Sequence, residues 1–174
     1  MHAGGMTADA WAVIDTAGLA ALDRGPRASV VSATTVKRLL ARFLTGLSPE
    51  RRDAALSLAL LWHDDLDGAH ALCQAHEGHP ECDFVHALLH RREGDFVNAK
   101  YWFREIGSHP VYAAVAQAAA TLGQLGLVAD GQWRPAAMVD ACAVALSRDP
   151  ARQTALMQVQ AAEFRILATH VVAR

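Results

Sequence analysis

The residues able to do chemistry crowd into one stretch, Leu60 to Pro110: LLWHDDLDGAHALCQAHEGHPECDFVHALLHRREGDFVNAKYWFREIGSHP. It carries seven of the nine histidines, the aspartates Asp64, Asp65 and Asp67, and the cluster Tyr101-Trp102-Phe103. At about 100° per residue, a helix over 80–93 sets Phe84, Val85, Leu88 and Leu89 on one side. Asp83, His86, His90 and Glu93 fall nearly opposite. His86 and His90 stand at i, i+4, with Glu93 three further on, so their side chains can converge on one point. Imidazole and carboxylate are the ligands that a divalent transition metal such as zinc, nickel or manganese accepts. The spacing is not HExxH, because Ala87 follows His86 and no glutamate stands where that motif has its base.

The turn His63-Asp64-Asp65 is the natural partner of this helix. His63 could complete a metal set of His86, His90, Glu93 and His63. Asp64 could orient an imidazole, or share general-base work with it. His63, Asp64, His86, His90 and Glu93 are therefore the candidate catalytic residues. Asp67, His70, Arg91, Lys100 and Trp102 are the candidates for contact with a bound ligand, since an arginine fork suits a carboxylate or phosphate and an aromatic can line a pocket. Each has a plainer reading. The polar side of 80–93 could be a solvated face or histidines hydrogen-bonded to neighbouring acids, Asp65 a helix cap, the arginines and Lys100 ordinary ion-pair partners, and Trp102 packing between helices. Cys73, His76, His79 and Cys82 recur every three residues, but Pro80 interrupts the only helix that could carry them together. His109, before Pro110, reads as a cap. No P-loop, GxSxG or dinucleotide fingerprint is present.

The elements that must position these residues are helices. Serine or histidine before proline recurs at Ser48-Pro49, His79-Pro80 and His109-Pro110, and Pro135 and Pro150 mark two more starts. Proline suits a first helical turn because its missing N–H is not needed there. Apolar spacing and these breaks predict helices over about 8–22, 34–45, 49–63, 66–77, 80–93, 96–106, 110–125, 135–147 and 150–169. Residues 29–32 could be a brief extended piece. The expectation is an all-α fold, an array of about nine helices in antiparallel hairpins within one domain over 1–174: an N-terminal pair (1–46), central His/Asp-rich hairpins (48–125) and a C-terminal pair (135–174). Residues 57–110 repeat at an offset of 30: Asp65 matches Asp95, Ala69 matches Ala99, and His79-Pro80 matches His109-Pro110. Two such units of about 30 residues make the array partly repeat-like.

Composition sets the outer bounds. With 52% apolar and 20% charged residues and a net charge of −2, the chain has a globular composition and no basic excess for phosphate neutralisation, which disfavours general nucleic-acid binding. The uncharged run Val111–Ala129 is 19 residues long but rich in alanine, glycine and glutamine. A spanning helix needs roughly 20 strongly apolar residues, so a buried helix is expected and no membrane segment. Three cysteines outside any CxxC pair and an N-terminus without signal-peptide layout predict reduced thiols and a cytoplasmic location.

Two resemblances follow from these strings. Gly94-Asp95, Ala99 and Tyr101-Trp102-Phe103 resemble the second half of a tetratricopeptide-like helical repeat. WHDDLDGAH (62–70), HALLHRREGDFVNAKYWFREIG (86–107) and His109-Pro110 look like the pattern of an uncharacterised, mainly bacterial helical family. That likeness implies that the histidine-rich stretch is the family's signature, and it supplies no catalytic residue. The functional expectation is a binding or scaffold module with a His/Asp/Glu-lined groove for a protein, peptide or small molecule, possible as a homodimer through its apolar C-terminal helices. The alternative is a small metal-dependent or His/carboxylate hydrolase using the same residues.

Overall fold

A computed structural model of the chain describes residues 11–12, 15 and 18–173. Proline and aspartate punctuation sets its helices. α1 (Ala33–Leu44) and α2 (Pro49–Trp62) start from Ser32 and Ser48, whose hydroxyls accept the N–H groups of Thr35 and Arg51. α3 (Leu66–Gln74) and α5 (Phe96–Ile106) start from Asp65 and Asp95, which accept the N–H groups of Gly68 and Asn98, each at 3.0 Å. These caps satisfy donors that a helix start otherwise leaves open. α4 (Pro80–Glu93) and α7 (Pro135–Ser147) carry proline in their first turns. α6 (Tyr112–Thr121) and α8 (Gln153–Val172) complete eight α-helices among the described residues. The fold is all-α.

Three expectations change. The helix over 8–22 lies partly outside the described residues. Trp11 and Ala12 are helical, but Gly18 to Leu22 are not. Gly18 has φ +71°, which is not helical, and the carbonyls of this segment are taken by side chains. Arg27 donates to Gly18 and Leu19, Gln160 to Ala20 and Ala21, and Arg92 to Asp23. The run from Val111 yields only the ten-residue α6. No helix among the described residues is long and apolar enough to cross a membrane. Beyond it, Val128–Ala129 pairs antiparallel with Gln132–Trp133 around Asp130-Gly131, both at positive φ. Asp-Gly between short apolar runs is the residue pair that such a tight hairpin demands. Residues 29–32 form no strand.

α4 runs through the middle. It packs against α2, α3 and α5, and every residue from Cys82 to Arg92 is buried. Trp62, Phe84, Leu88 and Phe164 are among the large side chains fully enclosed around it. A helix covered on all sides cannot keep a solvated polar face, and the expectation of one at 80–93 is corrected on that ground. Its polar side chains are internal: Asp83, Arg91 and Arg92 are answered from outside the helix, His90 by Glu93 of α4 itself and by Asn98 of α5, and His86 Nδ1 has no hydrogen-bond partner.

Candidate functional site: a three-histidine cluster on α3 and α4

α4 presents His86 and His90 one turn apart, and α3 lays His70 against them. One ligand atom from each imidazole lies within 4.8 Å of the other two. The rings form a stack: Trp102 of α5 lies on His86 with centroids 4.2 Å apart, and His86 lies on His90 at 4.7 Å. His70 meets His86 at 4.8 Å and His90 edge-on at 5.4 Å. His86 and His90 are buried, and His70 is half-buried.

The surroundings fix the protonation of this cluster. Burial, and then the neighbouring imidazoles His90 and His70, push His86 down to about 3. Burial also lowers His90, opposed by Glu93. Both rings are therefore neutral at physiological pH and keep a lone pair. Glu93 Oε2 lies 2.9 Å from His90 Nδ1, which puts the ring proton on Nδ1 and the lone pair on Nε2. Arg24 holds the other Glu93 oxygen at 3.0 Å. The Asn98 amide lies 3.1 Å from His90 Nε2 and is the contact that a metal there would displace. His86 Nδ1 is buried with no hydrogen-bond partner. Among the described residues the cluster is thus three imidazoles, two of them held neutral, with a carboxylate orienting one of those two, His90, from behind. That donor set suits zinc, nickel or copper better than the harder manganese ion.

The remaining candidates are dispersed. Glu93 belongs to the site as the partner of His90, not as a member of the donor cluster. His63 is absent from the cluster: it ends α2, is 3% exposed, and takes the Val31 N–H on Nδ1 at 3.3 Å. Asp64 is locked in an ion-pair knot. Its carboxylate accepts the Arg27 N–H at 2.8 Å, Arg27 Nε at 3.0 Å and Arg92 Nη2 at 2.7 Å. These donors hold it below the usual carboxylate range against the opposing effect of burial. A Cβ on Gly25 would come 2.8 Å from Asp64 Oδ2, and Gly25 has φ +70°, so glycine is what lets the chain close over the knot. A carboxylate committed to two guanidinium groups is a poor general base, so the role sketched for Asp64 is corrected.

Arg91 cannot form an anion-binding rim. It is 0% exposed, with Nη2 2.6 Å from Glu163 Oε2 and 3.2 Å from Gln160 Oε1. Lys100 pairs with Asp140, and the exposed Asp67 reaches Arg24 at 3.4 Å. Only His70 and Trp102 of the predicted ligand-contact residues touch the cluster. His76 pairs with Asp53 at 3.0 Å, and Cys73 and Cys82 are pushed up to about 12 by burial, so the Cys/His spacing assembles no site. No known protein family, curated protein or solved structure matches this chain.

Proposed function

We propose that this protein is a metal-binding helical module whose His70, His86 and His90 hold one divalent first-row transition ion, zinc or nickel before manganese. The observation that carries this reading is the convergence of three imidazoles, one ligand atom of each within 4.8 Å of the other two, in a cluster where His86 Nδ1 is buried with no hydrogen-bond partner. Buried polar atoms are nearly always satisfied, and an open imidazole nitrogen beside two further ligands is one that a bound ion would satisfy. Glu93 and Arg24 supply the outer support that keeps the lone pair on His90 Nε2, which a metal would take from the Asn98 amide. The ion would tie α3 to α4 and so stabilise the hairpin array. A second reading, metal-assisted hydrolysis, is favoured by the ligand number: three protein ligands leave a fourth tetrahedral position for water. It would proceed without His63 and Asp64.

Elemental analysis of the untagged protein tests the proposal, alongside His86→Gln/His90→Gln. About one equivalent in the parent and none in the variant is the expected result. A parent that stays empty after incubation with zinc, nickel and manganese sinks it. A loaded parent that also cleaves ester or phosphoester substrates, with cleavage lost in the variant, moves the reading to the hydrolase.

A further inference from the structure

A second group of donors meets at the other end of α4. Glu81 stands in its first turn, His109 in the connection from α5 to α6, and His170 in the last turn of α8. One ligand atom from each lies within 4.8 Å of the other two. We infer that Glu81, His109 and His170 form a second, separate site for a divalent first-row transition ion, with two imidazoles and one carboxylate as its donors.

The pieces are held in place by independent means. Arg51 reaches from α2 to the end of α8, donating to the carbonyls of Val171 at 2.9 Å, His170 at 2.8 Å and Ala173 at 2.7 Å. That fork fixes the turn that carries His170. Pro110 keeps His109 out of helical geometry, and the His109 ring packs edge-on against Phe84 at 5.2 Å and His170 at 5.3 Å. Glu81 Oε1 lies 3.0 Å from His170 Nε2, and Glu81 Oε2 lies 3.1 Å from His79 Nδ1. Bonds of about 2.0–2.1 Å in a tetrahedral ion set its donors about 3.3 Å apart, so Glu81 and His170 already stand at a ligand-to-ligand spacing.

The independent sign of a ligand is on His109. It is 6% exposed, and its Nε2 is buried with no hydrogen-bond partner. Its Nδ1 faces the Val111 N–H over 3.4 Å, a long contact. Metal binding through Nε2 moves the ring proton to Nδ1, and this contact opens on loading. His109 also lines a cavity of about 300 Å³ with Ser108, Tyr112 and Trp133. Two imidazoles and one carboxylate leave coordination positions open, and zinc and ferrous iron are the ions that use this set.

Zinc titration of the chelator-stripped full chain tests the inference, with bound metal counted by equilibrium dialysis and elemental analysis. The parent is expected to bind two equivalents, Glu81→Gln/His170→Gln one, and His86→Gln/His90→Gln one. A parent that binds one equivalent, unchanged by Glu81→Gln/His170→Gln, overturns the second site and leaves the first standing. One equivalent that survives His86→Gln/His90→Gln but is lost in Glu81→Gln/His170→Gln upholds the second site and overturns the first. A parent that binds none overturns both. Should Glu81→Gln/His170→Gln lose its helical circular dichroism, imidazole nitrogen NMR of the parent decides. Zinc must move the His109 and His170 ring signals, and unmoved signals overturn the site.

Discussion

Metal-free protein should lose stability between pH 7.5 and 5, and His86 and His109 should account for much of the loss. Burial holds His86 at about 3 and His109 at about 4, against 6.5 for an ordinary histidine. A base whose folded pKa is depressed stays neutral in the fold while the unfolded chain takes up its proton. Its contribution to stability is therefore complete above pH 6.5 and declines as the pH falls toward the folded value. At pH 5 each ring is about 1.5 pH units below the unfolded value, which at about 1.4 kcal/mol per unit costs about 2 kcal/mol. The two together cost about 4 kcal/mol, or about 8–16 °C in melting temperature for a chain of this length. Few exposed carboxylates titrate in this window. Burial raises Glu163 and Asp83, which act in the opposite sense, but both are common to parent and variant. The assay is thermal unfolding by circular dichroism, with chelator present, on the parent and on His86→Phe/His109→Phe. Phenylalanine keeps the ring contact with Trp102 at one position and with Phe84 at the other. The variant should have the flatter acid limb by about that difference. Parallel limbs would refute the argument, because they would mean that the two imidazoles are protonated in the fold and unready for a metal.

Two further outcomes follow from the buried charges and thiols. Asp64→Asn keeps a residue type that tolerates the φ of +65° but strips Arg92 of its counter-charge. It should destabilise by about 3–5 kcal/mol in urea unfolding, whereas Asp67→Asn, with its side chain 93% exposed, should stay within about 0.5 kcal/mol; equal effects would refute the knot. Cys73, Cys82 and Cys142 are fully buried, and burial pushes them up to about 12, 12 and 11. Native protein at pH 8 should therefore leave all three unlabelled by an aromatic disulfide reagent and expose three equivalents in denaturant, and fast native labelling would contradict the packing.

Helix starts were legible because their causes are local. Pro49, Pro80 and Pro135 open α2, α4 and α7, and Asp65 and Asp95 cap α3 and α5 as their types predict. The segment Gly18–Leu22 misled for the opposite reason. Its apolar spacing reads as helix, but its carbonyls are claimed by Arg27 and Gln160, the last about 140 residues away along the chain. The same distance effect hid the inside of the fold. Arg91 and Arg92 look like a solvated pair until Glu163 arrives from α8 and Asp64 from the turn between α2 and α3. His86 and His90 could be paired from their i, i+4 spacing. His70 could join them only once α3 was packed on α4, and Glu81, His109 and His170 share no period at all. Asp130-Gly131 was a readable signal that the helical reading passed over.

The placement of polar residues on α4 also argues for function over packing. Asp83 accepts the Gly78 N–H at 3.1 Å, and Arg91 and Arg92 have carboxylate partners. His90 is held between Glu93 and Asn98. Arg91 Nε is open, but both terminal nitrogens of that side chain are bonded. His86 differs from all of these, because its Nδ1 is buried with no partner while its ring lies against the rings of Trp102, His90 and His70. For packing alone, phenylalanine would fill the slot on Trp102 without leaving a polar atom unmet, which costs about 1–3 kcal/mol. Two further imidazoles turned toward that ring give the cost a purpose, because an ion bound there would satisfy all three at once. His86→Phe should therefore stabilise the metal-free protein at neutral pH while abolishing zinc uptake at this cluster. That opposition of signs, read by unfolding and dialysis on the same sample, is what a purely structural histidine could not produce.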